Sequence, residues 1–411
     1  MKRLIAALLA LMTAALCVGC GETPAETTVA TTGPDILGER RQLVQDYMRS
    51  QLDFYWTCDE PMPYYRSRTG ELEFTFEPGR VYRGIPYTPS GGTTTSFLRY
   101  GQGADEKGVH HLSGFSVNQE TGEVSVLQLC GDCSTTVFNA WSQIASSISA
   151  EKRTTKWMTE NNGYLRVGDY QSDPNENSST IRTCQTNGEQ VMYAAYGQLQ
   201  PGDAVVHFND GSGHVMMITQ CTVSSDTESG DIKGFTSFVR IMDQTSGNMK
   251  AEIKEYNEAI GEDVYPIGNL EKVYSFAQLY EKGYLPITCR ELIDPAPLAE
   301  ETLELVPSAE QAGDGLLGQL LSRSVQSNRA INMVTLTVTD SAGAEVQACS
   351  FVPAGTYART LPLSLFVTAE SHLLKGTLEL EKLEPGNYQL CCEVLSVTGK
   401  TITQHTDFQV N

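Results

Sequence analysis

The sequence predicts an α+β fold followed by an all-β part, and three observations carry that prediction. Apolar residues recur at helical spacing over 36–56 and again from Val137 through Trp141, Ile144 and Ile148. Short apolar runs separated by tight turns follow over 204–243, so helices precede an antiparallel meander, the order of an α+β domain. Beyond residue 330 the apolar period becomes two, which predicts short strands and a β-sandwich over 329–411.

The start of the chain reads as an export signal. Lys2 and Arg3 are basic, and residues 4–18 are almost wholly apolar but short for a bilayer span. Val18-Gly19-Cys20 then sets small residues before a cysteine. This resembles the lipobox of bacterial lipoproteins, although Cys17 stands where a leucine is usual. The resemblance implies lipidation of Cys20 and a protein held on the extracytoplasmic face of a bacterial membrane. Cleavage without a lipid is the alternative. Residues 21–35 are rich in Thr, Ala and Gly and read as a flexible tether.

Composition bounds the partners. The 411 residues suffice for two or three domains, and 40% hydrophobic content allows a sizeable core. A net charge of −21 repels phosphate backbones, so nucleic acid is not an expected partner. No Walker loop, dinucleotide-binding glycine fingerprint or zinc-finger spacing is present. Eleven cysteines include Cys17 and Cys20; the remaining odd number is too sparse for a disulfide scaffold and predicts mostly core residues or free thiols.

Residues 36–290 read as one domain. Leu43, Val44, Tyr47, Met48 and Leu52 mark its first helix. Arg83-Gly84-Ile85-Pro86-Tyr87-Thr88-Pro89-Ser90-Gly91-Gly92 holds a tyrosine inside an irregular Pro/Gly loop. His110-His111 falls in a polar loop, and 123–129 alternates like a short strand. Residues 150–195 read as an irregular insertion. Strands are expected over 204–208, 214–219 and 237–243, the first two joined by the turn Asn209-Asp210-Gly211-Ser212-Gly213. The acidic run 252–263 reads as a solvated helix face, and Phe276, Leu279 and Tyr280 mark a short helix. Residues 291–328 read as a linker. In the last part, strands are expected over 333–339, 376–381, 388–395 and 402–410. Leu383-Glu384-Pro385-Gly386-Asn387-Tyr388 resembles the turn and tyrosine before a late strand of immunoglobulin-like domains.

Cys133 stands where the second helix begins. Asp132, Ser134 and Thr135 offer capping oxygens there. The positive end of a helix and its unpaired amides favour a thiolate, the nucleophilic form of cysteine. His214 opens a buried strand after a glycine-rich turn, so its ring is free to meet that helix start.

The Tyr87 loop, Asp132-Cys133-Ser134, Leu199-Gln200-Pro201-Gly202-Asp203 and Gly213-His214-Val215, in that order, resemble the NlpC-type peptidases and their CHAP relatives, papain-like cysteine hydrolases of bacterial cell walls. The likeness covers residues 80–245. It implies a papain-like domain, which would stand ahead of the immunoglobulin-like sandwich expected over 329–411. It implies Cys133 as nucleophile, His214 as general base and a polar residue orienting the imidazole. Asp243 fits that third place best, and Gln244 is the runner-up. Tyr87 resembles the tyrosine beside the nucleophile, where its hydroxyl would help backbone amides bind an oxyanion. The implied reaction is hydrolysis of amide bonds in peptidoglycan stem peptides, with no metal or cofactor. Two departures stand out: Thr135 replaces the usual glycine after Asp-Cys-Ser, and a long insertion separates Gly92 from Cys133.

Other readings compete. Cys133 and His214 fit inert core roles, leaving a non-catalytic surface-binding lipoprotein of the same fold. An amidase or transacylase acting on a non-wall amide is a further rival. Cys130 and Cys133 form C-x-x-C, which invites a thioredoxin-like redox motif or, with His207 and His214, a zinc site. His207 itself reads as structural or exposed.

Overall fold

The Ile36–Leu52 helix opens the computed structural model, which describes residues 35–65, 72–88, 92–98, 101–112, 130–148, 154–158, 162–173, 179–250, 253–308, 315–351, 360–363 and 378–411. Val44, Met48 and Leu52 recur at one face of this helix and are fully buried. Leu43, expected with them, is exposed. The buried Arg41 takes the place of an apolar anchor. Its guanidinium pairs with Asp203 at 3.0 Å and donates to the carbonyls of Pro201 (2.8 Å) and Leu292 (2.9 Å). Thr288 Oγ1 donates to the same Asp203 carboxylate at 2.6 Å. Burial pushes the Asp203 carboxyl up while Arg41 pulls it down. The aspartate of Pro201-Gly202-Asp203 is therefore a structural tie.

A six-stranded antiparallel sheet carries the meander. Its order is Asn269–Ser275, Phe238–Asp243, Ser212–Thr222, Ala204–Asn209, Leu285–Cys289 and Tyr164–Arg166. The strands and turn expected over 204–243 are present, and the hairpin pairs His207 with His214. Val205, Val215, Met216, Met217 and Ile218 are fully buried, and the sheet shares one core with Val137, Phe138 and Trp141 of the Cys133–Trp141 helix. Trp141 Nε1 donates to Gly202 O at 2.8 Å, which fixes that helix to the same turn as Asp203. The helix ends at Trp141, earlier than its apolar spacing suggests; Ile144 and Ile148 reach the core from turns.

The second six-stranded sheet runs Glu255–Asn257, Glu262–Pro266, Val81–Arg83, Tyr55–Cys58, Val109–Leu112 and Gly101–Ala104. It packs around Trp56, which stacks on Tyr82 at 4.8 Å and meets Phe76 and Phe97 edge-on at 5.1 Å. Two expectations are corrected here. The acidic run 252–263 supplies paired strand residues instead of a helix face: strand pairing satisfies its backbone, and Glu255, Glu262 and Asp263 pair with Arg83, Lys107 and Lys254. His110 and His111 lie on a strand paired in parallel with Tyr55–Cys58. The region 150–195 is also more regular than expected, with the Tyr164–Arg166 strand and the Thr180–Asn187 and Glu189–Tyr196 helices. The expected helix around Phe276 is present at Phe276–Glu281, closed by a capping box from Ser275 and Gln278.

The C-terminal part has two sheets around one core. Four strands run Glu345–Phe351, Ile331–Asp340, Gly386–Ser396 and Thr401–Val410; three run Leu303–Pro307, Arg323–Ser327 and Thr360–Pro362. Val325 and Leu361 of the smaller sheet share a cluster with Leu336, Leu390 and Val394 of the larger. Tyr388 hydroxyl donates back to Glu384 O at 2.8 Å. Strands within 303–327 correct the expected linker 291–328: those residues pair instead of spanning a gap. The strand expected over 376–381 is also corrected, because Leu380–Lys382 forms a 3-10 turn and 376–377 lie outside the described residues. Residues 36–411 form one compact unit. Ala330 and Val397 enter the core around the Cys133 helix, Gln143 Nε2 donates to Val397 O at 2.8 Å, and Thr93 Oγ1 donates to Asn332 Oδ1 at 2.7 Å. The export signal, Cys20, residues 21–34 of the tether and the run 123–129 lie outside the described residues.

Candidate active site

The Cys133 helix is delivered by a short extended segment. Gly92 N donates to Cys130 O at 2.7 Å, Thr88 N donates to Gly131 O at 3.0 Å, and Tyr87 forms a parallel bridge with Gly131. A Cβ on Gly131 would stand 2.8 Å from Gly92 O, so this approach requires glycine. Asp132 then caps the helix. Its backbone is extended, and its carboxylate accepts from Thr135 N at 2.8 Å and Ser134 Oγ at 2.9 Å. Cys133 is the first helical residue and is 3% exposed. Tyr87 hydroxyl lies 3.8 Å from its sulfur. Burial, with the neighbouring Cys133 and Asp132 charges, raises the Tyr87 pKa far above its ordinary value, so the hydroxyl stays neutral and remains a donor.

The imidazole comes from the other side. His214 lies on Ser212–Thr222 and Asp243 ends the adjacent Phe238–Asp243 strand. Met242 pairs with Met217, so pleat alternation sends Asp243 to the face shared by His214. His214 Nε2 and Asp243 Oδ2 are 2.6 Å apart, and Asp243 is 2% exposed. Nδ1 is thereby left as the ring nitrogen for the sulfur. Burial opposes a charge on His214, but its hydrogen bonds to Asp243 and to Cys133 outweigh burial and raise its pKa to about 10. Gly213 is needed before it, because a Cβ there would run into Thr155 Oγ1.

The structure brings together Cys133, His214, Asp243 and Tyr87. It places Gln244 elsewhere. Gln244 is fully buried, and its amide donates to Ile85 O. Among the described residues this hydrogen bond ties its amide to the Tyr87 loop and none joins it to the imidazole, so Gln244 serves as a brace for that loop where Asp243 takes the third place at His214. Asn269 was missed by sequence reasoning. Its Nδ2 donates to Asp243 Oδ1 at 2.5 Å, and Asn248 Nδ2 donates to Asn269 Oδ1 at 2.9 Å. A lone Asn opening a strand carries no local signal for this; only the register Asp243–Asn269 reveals it. Cys130 sits in the aromatic core, and burial raises its thiol well above the ordinary value. His207 is half-buried, with its ring edge-on to Tyr284 at 4.6 Å. Among the described residues no group of three or more His, Cys, Asp or Glu is placed to hold a metal ion.

A thiol at a helix start, a buried imidazole backed by a carboxylate and a neutral hydroxyl donor are the groups that can serve as a nucleophile, an acid–base group and an oxyanion partner. Searches against protein-family models, curated proteins and solved structures give no match for this chain.

Proposed function

We propose that this chain is a cysteine hydrolase of papain-like arrangement that cleaves amide bonds in peptidoglycan stem peptides, with an immunoglobulin-like sandwich behind it and a lipid at Cys20 holding it to the membrane. The observation that carries the chemistry is the 2.6 Å His214–Asp243 pair on the strands facing the Cys133 helix start. The Cys133 thiolate attacks the carbonyl carbon. The oxyanion is met by backbone amides near Cys133 and by the Tyr87 hydroxyl. The His214 imidazolium gives its proton to the departing amine, and an acyl-enzyme remains. His214 then takes a proton from water, the hydroxide attacks the thioester, and the acid product leaves. Asp243 holds the ring orientation and stabilises its charge. The wall-peptide substrate rests on the resemblance of the Tyr87 loop, Asp132-Cys133-Ser134 and Gly213-His214-Val215 to NlpC and CHAP enzymes.

Digestion of purified peptidoglycan tests this. The wild-type protein should release soluble muropeptides with new amine ends, and Cys133→Ala should release none. A wild-type digest matching the Cys133→Ala control would contradict the wall substrate.

A further inference from the structure

The hairpin that delivers His214 delivers a second histidine to the same face. His207 and His214 are directly paired across the Ala204–Asn209 and Ser212–Thr222 strands, which sets their Cβ atoms about 5 Å apart. The mechanism above uses His214 and leaves His207 unemployed. Its tautomer is fixed by its surroundings. Asn209 Oδ1 accepts from Ile181 N at 3.1 Å and Ser179 Oγ at 3.2 Å, so the amide nitrogen of Asn209 is the atom facing His207 Nδ1 at 3.4 Å. Nδ1 therefore accepts, and the proton sits on Nε2. That Nε2 has no hydrogen-bond partner among the described residues. The ring is braced edge-on against buried Tyr284 at 4.6 Å. Burial, then the positive charges of His214 and Lys282, lower the His207 pKa to about 4, which keeps the ring a neutral donor.

Lys282 supplies a charge beside that donor. It follows the Phe276–Glu281 helix, its side chain is exposed, and its carbonyl receives Asn209 Nδ2 at 3.5 Å. Asp210, the acidic residue nearest His207 in sequence, is exposed at the hairpin tip, and Glu281, beside Lys282 in sequence, is exposed as well, so solvent screens both. A chain of net charge −21 thus presents a fixed N–H donor and an ammonium beside its imidazole.

We propose that His207 and Lys282 form a subsite for a carboxylate carried by the substrate next to the scissile amide. This rests on the hydrolase reading and narrows its substrate to peptides with a free carboxylate adjoining the cleaved bond. An N–H donor gives the carboxylate a direction, and the exposed ammonium adds attraction that salt weakens.

The test uses N-bromoacetylglycine and its amide, two thiol alkylators that differ only in a carboxylate one residue from the reactive carbon. Their alkylation rates at Cys133 are compared in the full chain and expressed as a ratio. The wild-type ratio of acid to amide should exceed that of an uncharged simple thiol such as N-acetylcysteine amide by several-fold. His207→Ala and Lys282→Ala should each lower it, and His207→Gln, which keeps an amide donor, should retain part of it. Lys282 is exposed, so its substitution reads the subsite without disturbing the core. A ratio equal to that of the simple thiol, or one unmoved by both variants, would overturn the subsite. Failure of the hydrolase reading looks different: both reagents would then react at the rate of an unassisted thiol, and their ratio would still report on His207 and Lys282.

Discussion

His214 and Asp243 meet through one local device, whereas Cys133 and Tyr87 meet through contacts that cross the whole chain. The first pair sits on neighbouring strands of a meander, where pleat alternation alone assigns both side chains to one face. The second pair depends on a loop held by Thr88 N on Gly131 O, by Gly92 N on Cys130 O, by Gln244 on Ile85 O and, through Thr93, by Asn332 of the C-terminal strands. One half of the site is therefore intrinsic to a hairpin and its neighbour. The other half is an assembly of distant parts, and it carries Cys133, the proposed nucleophile. The difference teaches where the site is sturdy and where it depends on the rest of the fold.

Substitutions at the two halves should behave accordingly. Among the residues that support the reacting groups, Asp243→Ala removes the carboxylate behind the imidazole and should produce the largest effect, on the order of 10²–10⁴-fold in kcat/KM toward whatever amide is cleaved. It should also lower the pH at which His214 loses its proton, because the Asp243 hydrogen bond is the largest of the effects raising that pKa from 6.5 to about 10. The sign for stability follows. A raised histidine pKa contributes stability that is fully present below about pH 6.5 and is lost as pH rises through about 10. Alkaline destabilisation near pH 10 should thus be weaker in Asp243→Ala than in the wild type, measured as the change in Tm between neutral and alkaline buffer. An unchanged pH profile would separate Asp243 from the imidazole's charge.

A smaller effect is expected at the supports that brace the assembled half. Gln244→Ala removes a buried donor and should cost about 1–3 kcal/mol of fold stability. Its loss of activity should pass through Tyr87. The penalties of Gln244→Ala and Tyr87→Phe on kcat/KM should then be less than additive in the double variant, since both act on one hydroxyl. Full additivity would break the comparison by showing that Gln244 does not position Tyr87.

The same contrast explains what was legible in the sequence. The strands around His207, His214 and Asp243, their turn and the cysteine helix announce themselves through local period and turn chemistry, so the α+β order is readable in advance. Cys133 and His214 stand out at a helix start and a strand start, whereas Asp243 and Tyr87 stand out only through the resemblance to NlpC and CHAP enzymes. Gln244 and Asn269 are not readable as supports in either way. Their roles depend on which side of a strand end they leave from and on a register with a distant partner, and neither is a local property. The linker prediction over 291–328 failed for a related reason. Its Pro, Gly and Glu content resembles a tether, yet Leu303, Leu305 and Val325 pair across a sheet closed by residues from 360–362. The helix predicted in 252–263 failed because acidic composition marks exposure without marking the period of the exposed element.

The central claim is that Cys133 and His214 act as one charged pair, and the pH dependence of iodoacetamide labelling at Cys133, with His214→Ala as comparison, tests it most directly. The account predicts labelling that persists well below pH 7 in the wild type and collapses there in His214→Ala. Labelling that rises only near pH 8.5, the ordinary range of a thiol at about that value, and that is the same in both proteins, would contradict it.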